Sequence, residues 1–154
     1  MTMINSYRRR QRGVTLMELL TVVVVLGILA TIAIPSYRSY LLRSQRTDGT
    51  TTLLRVRSAQ EKFYLQNNAY SNDMGPAPAG LGIAGAAGAC ANSEGGKYQV
   101  CIAFNGGNPN TFIATAAPTA AGGQGADTKC TSFTINETGT KGSTGTATTA
   151  ECWR

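Results

Sequence analysis

Residues 13–35 read GVTLMELLTVVVVLGILATIAIP, and the reading of this stretch decides the rest of the chain. From Val14 to Ile34 it holds 21 residues with a single charge. As a helix it would rise about 31 Å, which matches a hydrocarbon core of roughly 30 Å. A helix buried in a soluble core is seldom apolar on every side. The apolar part of a cleaved secretory signal is shorter, about 7 to 15 residues, and a small-residue cleavage site follows it; none follows Ile34. The preceding run Arg8-Arg9-Arg10-Gln11-Arg12 lacks the apolar continuation of a twin-arginine export signal. It sets the orientation instead, because cations are retained on the cytoplasmic side; Arg38, Arg43 and Arg46 beyond the run weaken that bias without reversing it. The stretch reads as a membrane anchor with a cytoplasmic N-terminus. Glu18 does not suit a plain anchor, since an ionised carboxylate in hydrocarbon is costly unless paired. Its partner is Arg12, a lipid head group, an amine exposed by cleavage, or another chain.

Composition narrows the function. The 154 residues suit one domain with a short appendage. Histidine is absent, which excludes a Ser-His-Asp triad and any histidine-bearing metal site, so an enzyme has little support. The net charge of +6 invites a nucleic-acid reading, but four of the cations lie in the first twelve residues. The remaining ten basic and eight acidic residues nearly balance, and few aromatics accompany them, so a nucleic-acid surface is weakly supported though open. Eighteen glycines describe a loop-rich chain, while 42% hydrophobic content describes a folded one.

Beyond Pro35 the apolar spacing of three, four and seven continues through Tyr37, Tyr40, Leu41, Leu53, Val56 and Phe63, which predicts one helix to about Gln66, amphipathic in its second half. Along that half, Arg38, Arg43, Arg46, Arg55, Arg57 and Lys62 outnumber Asp48 and Glu61 and read as a solvated or subunit-contacting face, with juxtamembrane lipid contact or DNA uptake as the lesser alternative. Residues 71–96 contain GPAPAGLGIAGAAGAC and read as a surface loop. Three β-rich runs follow, Lys97–Phe104, Thr111–Ala117 and Lys129–Asn136, separated by Gly, Asn and Pro turns. The last section, Glu137–Arg154, is rich in Gly and Thr and would be mobile unless Cys152 fixed it. The order of elements is helix, loop, antiparallel sheet.

At Gly13-Val14-Thr15-Leu16-Met17-Glu18 a short basic leader ends in glycine and an apolar helix begins with glutamate as its fifth residue. This resembles the leader of type IV pilins. The resemblance continues through Gly27, Ala33-Ile34-Pro35-Ser36-Tyr37, Tyr40, Arg46-Thr47-Asp48, Gln60-Glu61-Lys62-Phe63-Tyr64 and Tyr70. At the other end, Asp127-x-x-Cys130 and Cys152-Trp153-Arg154 look like the disulfide-bounded C-terminal loop of minor pilins of the PilE type. The implied fold is α+β: a long N-terminal α-helix, its hydrophobic half protruding, packed by its C-terminal half on a small antiparallel β-sheet with that loop. Val14 stands where most relatives carry phenylalanine.

The resemblance implies that residues 1–13 are a leader removed by prepilin peptidase after Gly13, with the new amino group of Val14 methylated. Residues 14–35 would form the transmembrane and assembly helix, and residues 36–154 the periplasmic or surface domain. Gly27 and Pro35 weaken backbone hydrogen bonding, and relatives lose helix in this interval inside assembled pili. Glu18 would neutralise the Val14 ammonium of a neighbouring subunit. The exported side is oxidising, so Cys90, Cys101, Cys130 and Cys152 read as two disulfides. Four cysteines allow three pairings; the resemblance selects Cys130–Cys152, leaving Cys90–Cys101. No C-x-x-C pair supports zinc, and no cofactor is expected.

The function implied is a minor pilin, held in the bacterial inner membrane and then built into an extracellular type IV pilus, supporting assembly, adhesion and twitching motility. Its partners would be other pilin subunits, prepilin peptidase, the inner-membrane pilus assembly machinery, and membrane lipid before assembly. Two alternatives are a type II secretion pseudopilin and a pilus-displayed DNA or adhesion binding module. The cysteine loop and the lack of an acidic, calcium-binding C-terminus weigh against the first.

Overall fold

Helix α1 runs from Leu16 to Asn67 with Pro35 inside it. The structure is a computed structural model that describes residues 13–86 and 88–154. The basic run up to Arg12, and with it all of the expected leader but Gly13 and the Arg12 partner for Glu18, lies outside the described residues. The chain forms two compact units, one ending at Ser39 and one from Tyr40 to Arg154.

In the first unit Thr15 starts the helix: its Oγ1 accepts from the Glu18 backbone N–H at 3.2 Å, the N-cap half of a capping box. Thr21 and Thr31 donate their hydroxyls to Glu18 O and Ile28 O at 2.9 and 2.7 Å, so each finds an acceptor within the helix itself. The helix holds through Gly27 and Pro35, the interval in which the resemblance implies melting after assembly.

In the second unit α1 buries Arg46, Gly49, Leu53, Val56 and Gln60, a three-four spacing that makes one seam. Asn68, at φ 56°, ends the helix in the left-handed region. The sheet is an antiparallel meander of β1 (Cys90–Asn92), β2 (Tyr98–Phe104), β3 (Phe112–Pro118), β4 (Ser132–Asn136) and β5 (Lys141–Thr144), followed by the short helix α2 (Thr149–Cys152). Alternate residues face the core: Tyr98, Val100 and Ile102, then Phe112, Ala114 and Ala116, then Phe133 and Ile135. Small residues sit between large ones across the strands, as in Val100–Ala116–Phe133 and Ile102–Ala114–Ile135. Gly49 lets α1 approach the sheet, because a Cβ there would stand 2.9 Å from the Tyr98 ring.

Three expectations need correction. The sheet has five strands, not three: β1 falls at the end of the segment read as a surface loop, and β5 with α2 in the tail. Residues 71–96 are only partly surface, since Met74 is fully buried. Backbone bonds hold that segment, with Met74 N–H donating to Gly88 O, Leu81 N–H to Asp73 O and Ile83 N–H to Met74 O. Finally, β4 begins at Ser132 rather than Lys129 because the Lys129 and Cys130 N–H groups both donate to the Asp127 carboxylate.

Candidate functional site

In the first unit the residues singled out from the sequence lie along one face-less apolar cylinder. Val14 is 68% exposed, and every large apolar side chain from Leu16 to Ile34 is at least half exposed. Nothing lies within 4 Å of where a Cβ on Gly27 would be. Glu18 has no ion-pair partner among the described residues. An apolar helix covered by nothing within its own unit is built to be covered by lipid or by other helices.

In the second unit, the seam of α1 carries two polar anchors two residues apart. Arg46 donates from Nε and Nη2 to Asp127 at 2.6 and 2.9 Å, a buried bidentate pair. Burial alone would raise the Asp127 carboxyl, but the Arg46 hydrogen bonds and charge outweigh it and hold the group below the usual aspartate range. Asp48 accepts from Ser93 Oγ at 2.5 Å, Gly95 N–H at 2.9 Å and Lys97 N–H at 3.2 Å, pinning the β1–β2 turn. Arg46 is therefore not on a solvated face, as the charge run suggested. Its partner lies 81 positions away, and no local signal announces it.

Two further polar side chains join the fold at the same seam. Gln60 donates to Ser71 O and accepts from Ser71 N–H. Gln124 donates to Leu42 O and to the Tyr98 hydroxyl, both at 3.0 Å. Burial pushes that hydroxyl up to about 12.

The C-terminal loop is closed by the Cys130–Cys152 disulfide, and Cys90–Cys101 joins directly opposed residues of β1 and β2. Thr148 and Glu151 form a full capping box at α2. The Glu151 carboxyl is held below the usual glutamate range by the Thr148 N–H and hydroxyl, and further by the nearby charges of Arg154 and Lys129. Trp153 donates Nε1–H to Gly142 O at 2.8 Å and meets Phe133 edge-on, so β5 and β4 are its partners. Between α1 and this loop lies an open cavity of about 520 Å³, lined by Arg43, Arg46, Lys129, Thr146, Ala147, Glu151 and Arg154. Among the described residues no cluster of His, Cys, Asp or Glu could hold a metal ion.

A family model described as type IV minor pilin ComP, DNA uptake sequence receptor, matches residues 35–134. A second, described as the prokaryotic N-terminal methylation motif, matches residues 8–34. The chain is similar to the type IV major pilin protein PilA of Myxococcus xanthus, 37% identical over 95 residues that cover 56% of this chain and 43% of that protein. It is also similar to the type IV major fimbrial protein FimA of Dichelobacter nodosus, 34% identical over 110 residues, covering 70% and 59%. The matched stretch thus spans about half the length of these relatives. A solved type IV pilin from Shewanella oneidensis aligns at 19% identity and a TM-score of 0.46 over 65% of this chain and 89% of that one, too loosely to add to the assignment.

Proposed function

This chain belongs to the type IV pilin family, and we propose that it works as a minor subunit built into a bacterial type IV pilus. The observation that carries the proposal is the pairing of two matches, a minor-pilin model over residues 35–134 and a methylation motif over residues 8–34. The first extends well past the helix that a secretion pseudopilin would share, which favours the pilus over the secretion reading. The matched family is one of structural subunits, and the proposal involves no reaction by this chain.

In this reading, prepilin peptidase removes residues 1–13 after Gly13, and the Val14 amine is methylated. Residues 14–35 hold the subunit in the inner membrane with its N-terminus cytoplasmic. Pilus assembly machinery then moves that helix from lipid into the filament, at small net cost because both surroundings are apolar. Glu18 pairs with the Val14 amine of another pilin subunit, which compensates both charges as they leave the membrane and fixes the stagger. Gly27 and Pro35 let the backbone adapt. Residues 36–154 carry the exposed domain, which serves adhesion and twitching motility.

The test is sheared pili analysed by mass spectrometry. Mature chain starting at Val14 should appear in the filament fraction. Its absence there, with wild-type pili present, would remove the proposal, and Gly13→Ala should leave unprocessed chain in the membrane.

A second reading takes its support from the description of the matched model as a DNA uptake sequence receptor. The domain would then contact nucleic acid while in the pilus. Capture of duplex DNA by wild-type pili but not by pili lacking this subunit is the outcome it requires.

A further inference from the structure

The cavity between α1 and the C-terminal loop holds more positive charge than the molecule uses. Of its four cations, Arg46 is spent on Asp127. Arg43, Lys129 and Arg154 are exposed and have no carboxylate partner, since the ion pairs among the described residues are Arg46–Asp127 and Arg55–Glu94. The one acid in the wall, Glu151, is engaged by the Thr148 N–H and hydroxyl. Three cations without a carboxylate contact stand against the single Glu151 side chain, so the side chains that line the cavity are net positive.

The segment that carries Lys129 is also held in place. Ala147 N–H donates to Lys129 O at 3.0 Å and Thr146 N–H to Thr128 O at 3.2 Å. The Lys129 and Cys130 N–H groups cap Asp127, which Arg46 grips from α1. The Cys130–Cys152 bond then ties the segment carrying Lys129 to the segment carrying Glu151 and Arg154. The backbone that carries Lys129 is thus fixed to residues 146–152, while Arg43, Lys129 and Arg154 stay exposed. That combination stabilises a structure only weakly but recognises an anion well.

We propose that this cavity is a binding site for a phosphate group, gripped by Arg43, Lys129 and Arg154 with Thr146 at its wall. A lone carboxylate brings one charge and two acceptor oxygens. A phosphomonoester or free phosphate brings up to two charges and three acceptor oxygens, which suits several cations and the planar donor forks of two arginines. A nucleic-acid polymer fits less well, because a duplex carries about one charge per 1.7 Å and needs a track of cations. The phosphate can come from a lipid that ends in a phosphomonoester, such as phosphatidic acid, while the subunit waits in the membrane, or from free phosphate in the surroundings. Only the lipid source rests on the pilin reading.

The experiment uses the full-length chain in detergent, with inorganic phosphate titrated against chloride at constant ionic strength. Amide resonances of Thr146, Ala147 and Glu151 report on the site. Saturable shifts are expected at these amides, weakened at least about ten-fold by Lys129→Gln with Arg154→Gln. The control pair Lys62→Gln with Lys97→Gln removes the same charge elsewhere and should leave the titration unchanged. Native mass spectrometry of the chain released from phosphatidic-acid-containing micelles separates the sources. Phospholipid retained by the wild type and lost from Lys129→Gln/Arg154→Gln assigns the lipid head group; phosphate binding without retained lipid assigns free phosphate. Shifts that never saturate, equal shifts in both variant pairs, or a response to duplex DNA alone would each overturn the site. Sheared pili assayed for the subunit in parallel keep a failure of the pilin reading distinct from a failure of this one.

Discussion

The residues from 13 to 39 and those from 40 to 154 share one helix and obey opposite rules. In the first, leucines, valines and isoleucines are exposed and the polar groups serve only themselves, as when Thr21 and Thr31 bond back to their own helix. In the second, Leu53 and Val56 are sealed, and polar side chains reach across the fold to Ser71, Ser93 and Asp127. Stability in one part therefore depends on the surroundings, and in the other on pairings between distant segments. Substitutions should divide along the same line.

The largest effect is expected from Arg46→Ala, which leaves Asp127 buried without its cation and should cost about 3–5 kcal/mol in denaturant unfolding of the second unit. The pH dependence carries the sign. Asp127 titrates lower in the folded than in the unfolded chain, so its contribution is present above the ordinary aspartate range and lost as pH falls through the depressed folded value. Wild type should weaken along that acid limb, and Arg46→Ala should flatten it. An unchanged limb would mean the pair contributes little.

Next comes Cys152→Ser, which opens a loop of about 22 residues and should cost roughly 3 kcal/mol in the chain-entropy model. Loss of hydrogen-exchange protection should be confined to β5 and α2. Equal loss throughout the sheet would show that the tail is integral to the core rather than tied onto it.

Gly49→Ala should cost about 1–3 kcal/mol, because the added methyl must push the Tyr98 ring away from the helix. Shortening the ring with Tyr98→Leu in the same chain should recover part of that loss. Additive losses would sever the proposed contact.

The smallest stability change belongs to Glu18→Ala, which sits in the unit that packs on nothing of its own. Unfolding of the second unit should move by less than about 0.5 kcal/mol, and membrane insertion should be intact. The amount of mature chain in sheared pili should nevertheless fall. Wild-type incorporation would break the proposed pairing with a neighbouring Val14 amine.

The two regions also differ in how much their sequence discloses. Membrane preference is a property of each residue summed over a run, so 14–34 could be read from hydropathy alone, and the end of α1 near Gln66 from its periodicity and the asparagines after it. Strands β2 and β3 were legible within a residue, because alternation is local. The expected cleavage after Gly13 came only through resemblance, whereas the need of Glu18 for a partner and the weakened backbone at Gly27 and Pro35 were read from the residues themselves. The Arg46–Asp127 and Asp48–Ser93 anchors were not legible, since an arginine in a run of arginines looks solvated until its partner is known. Glycine and alanine around Met74 likewise hid a core residue, and Gly and Thr hid β5. The basic cavity escaped for the same reason: its cations come from three separate stretches of chain.

The strand order β1-β2-β3-β4-β5 has every strand beside its neighbour in sequence. Each pairing therefore closes a short loop at little entropic cost, whereas bringing Arg46 to Asp127 closes one of 81 positions. The seam of α1 is joined to the rest of the unit over every range, from Gln60–Ser71 at 11 positions to Arg46–Asp127 at 81, so the helix that starts as the sheet's neighbour in sequence also closes one of its longest loops.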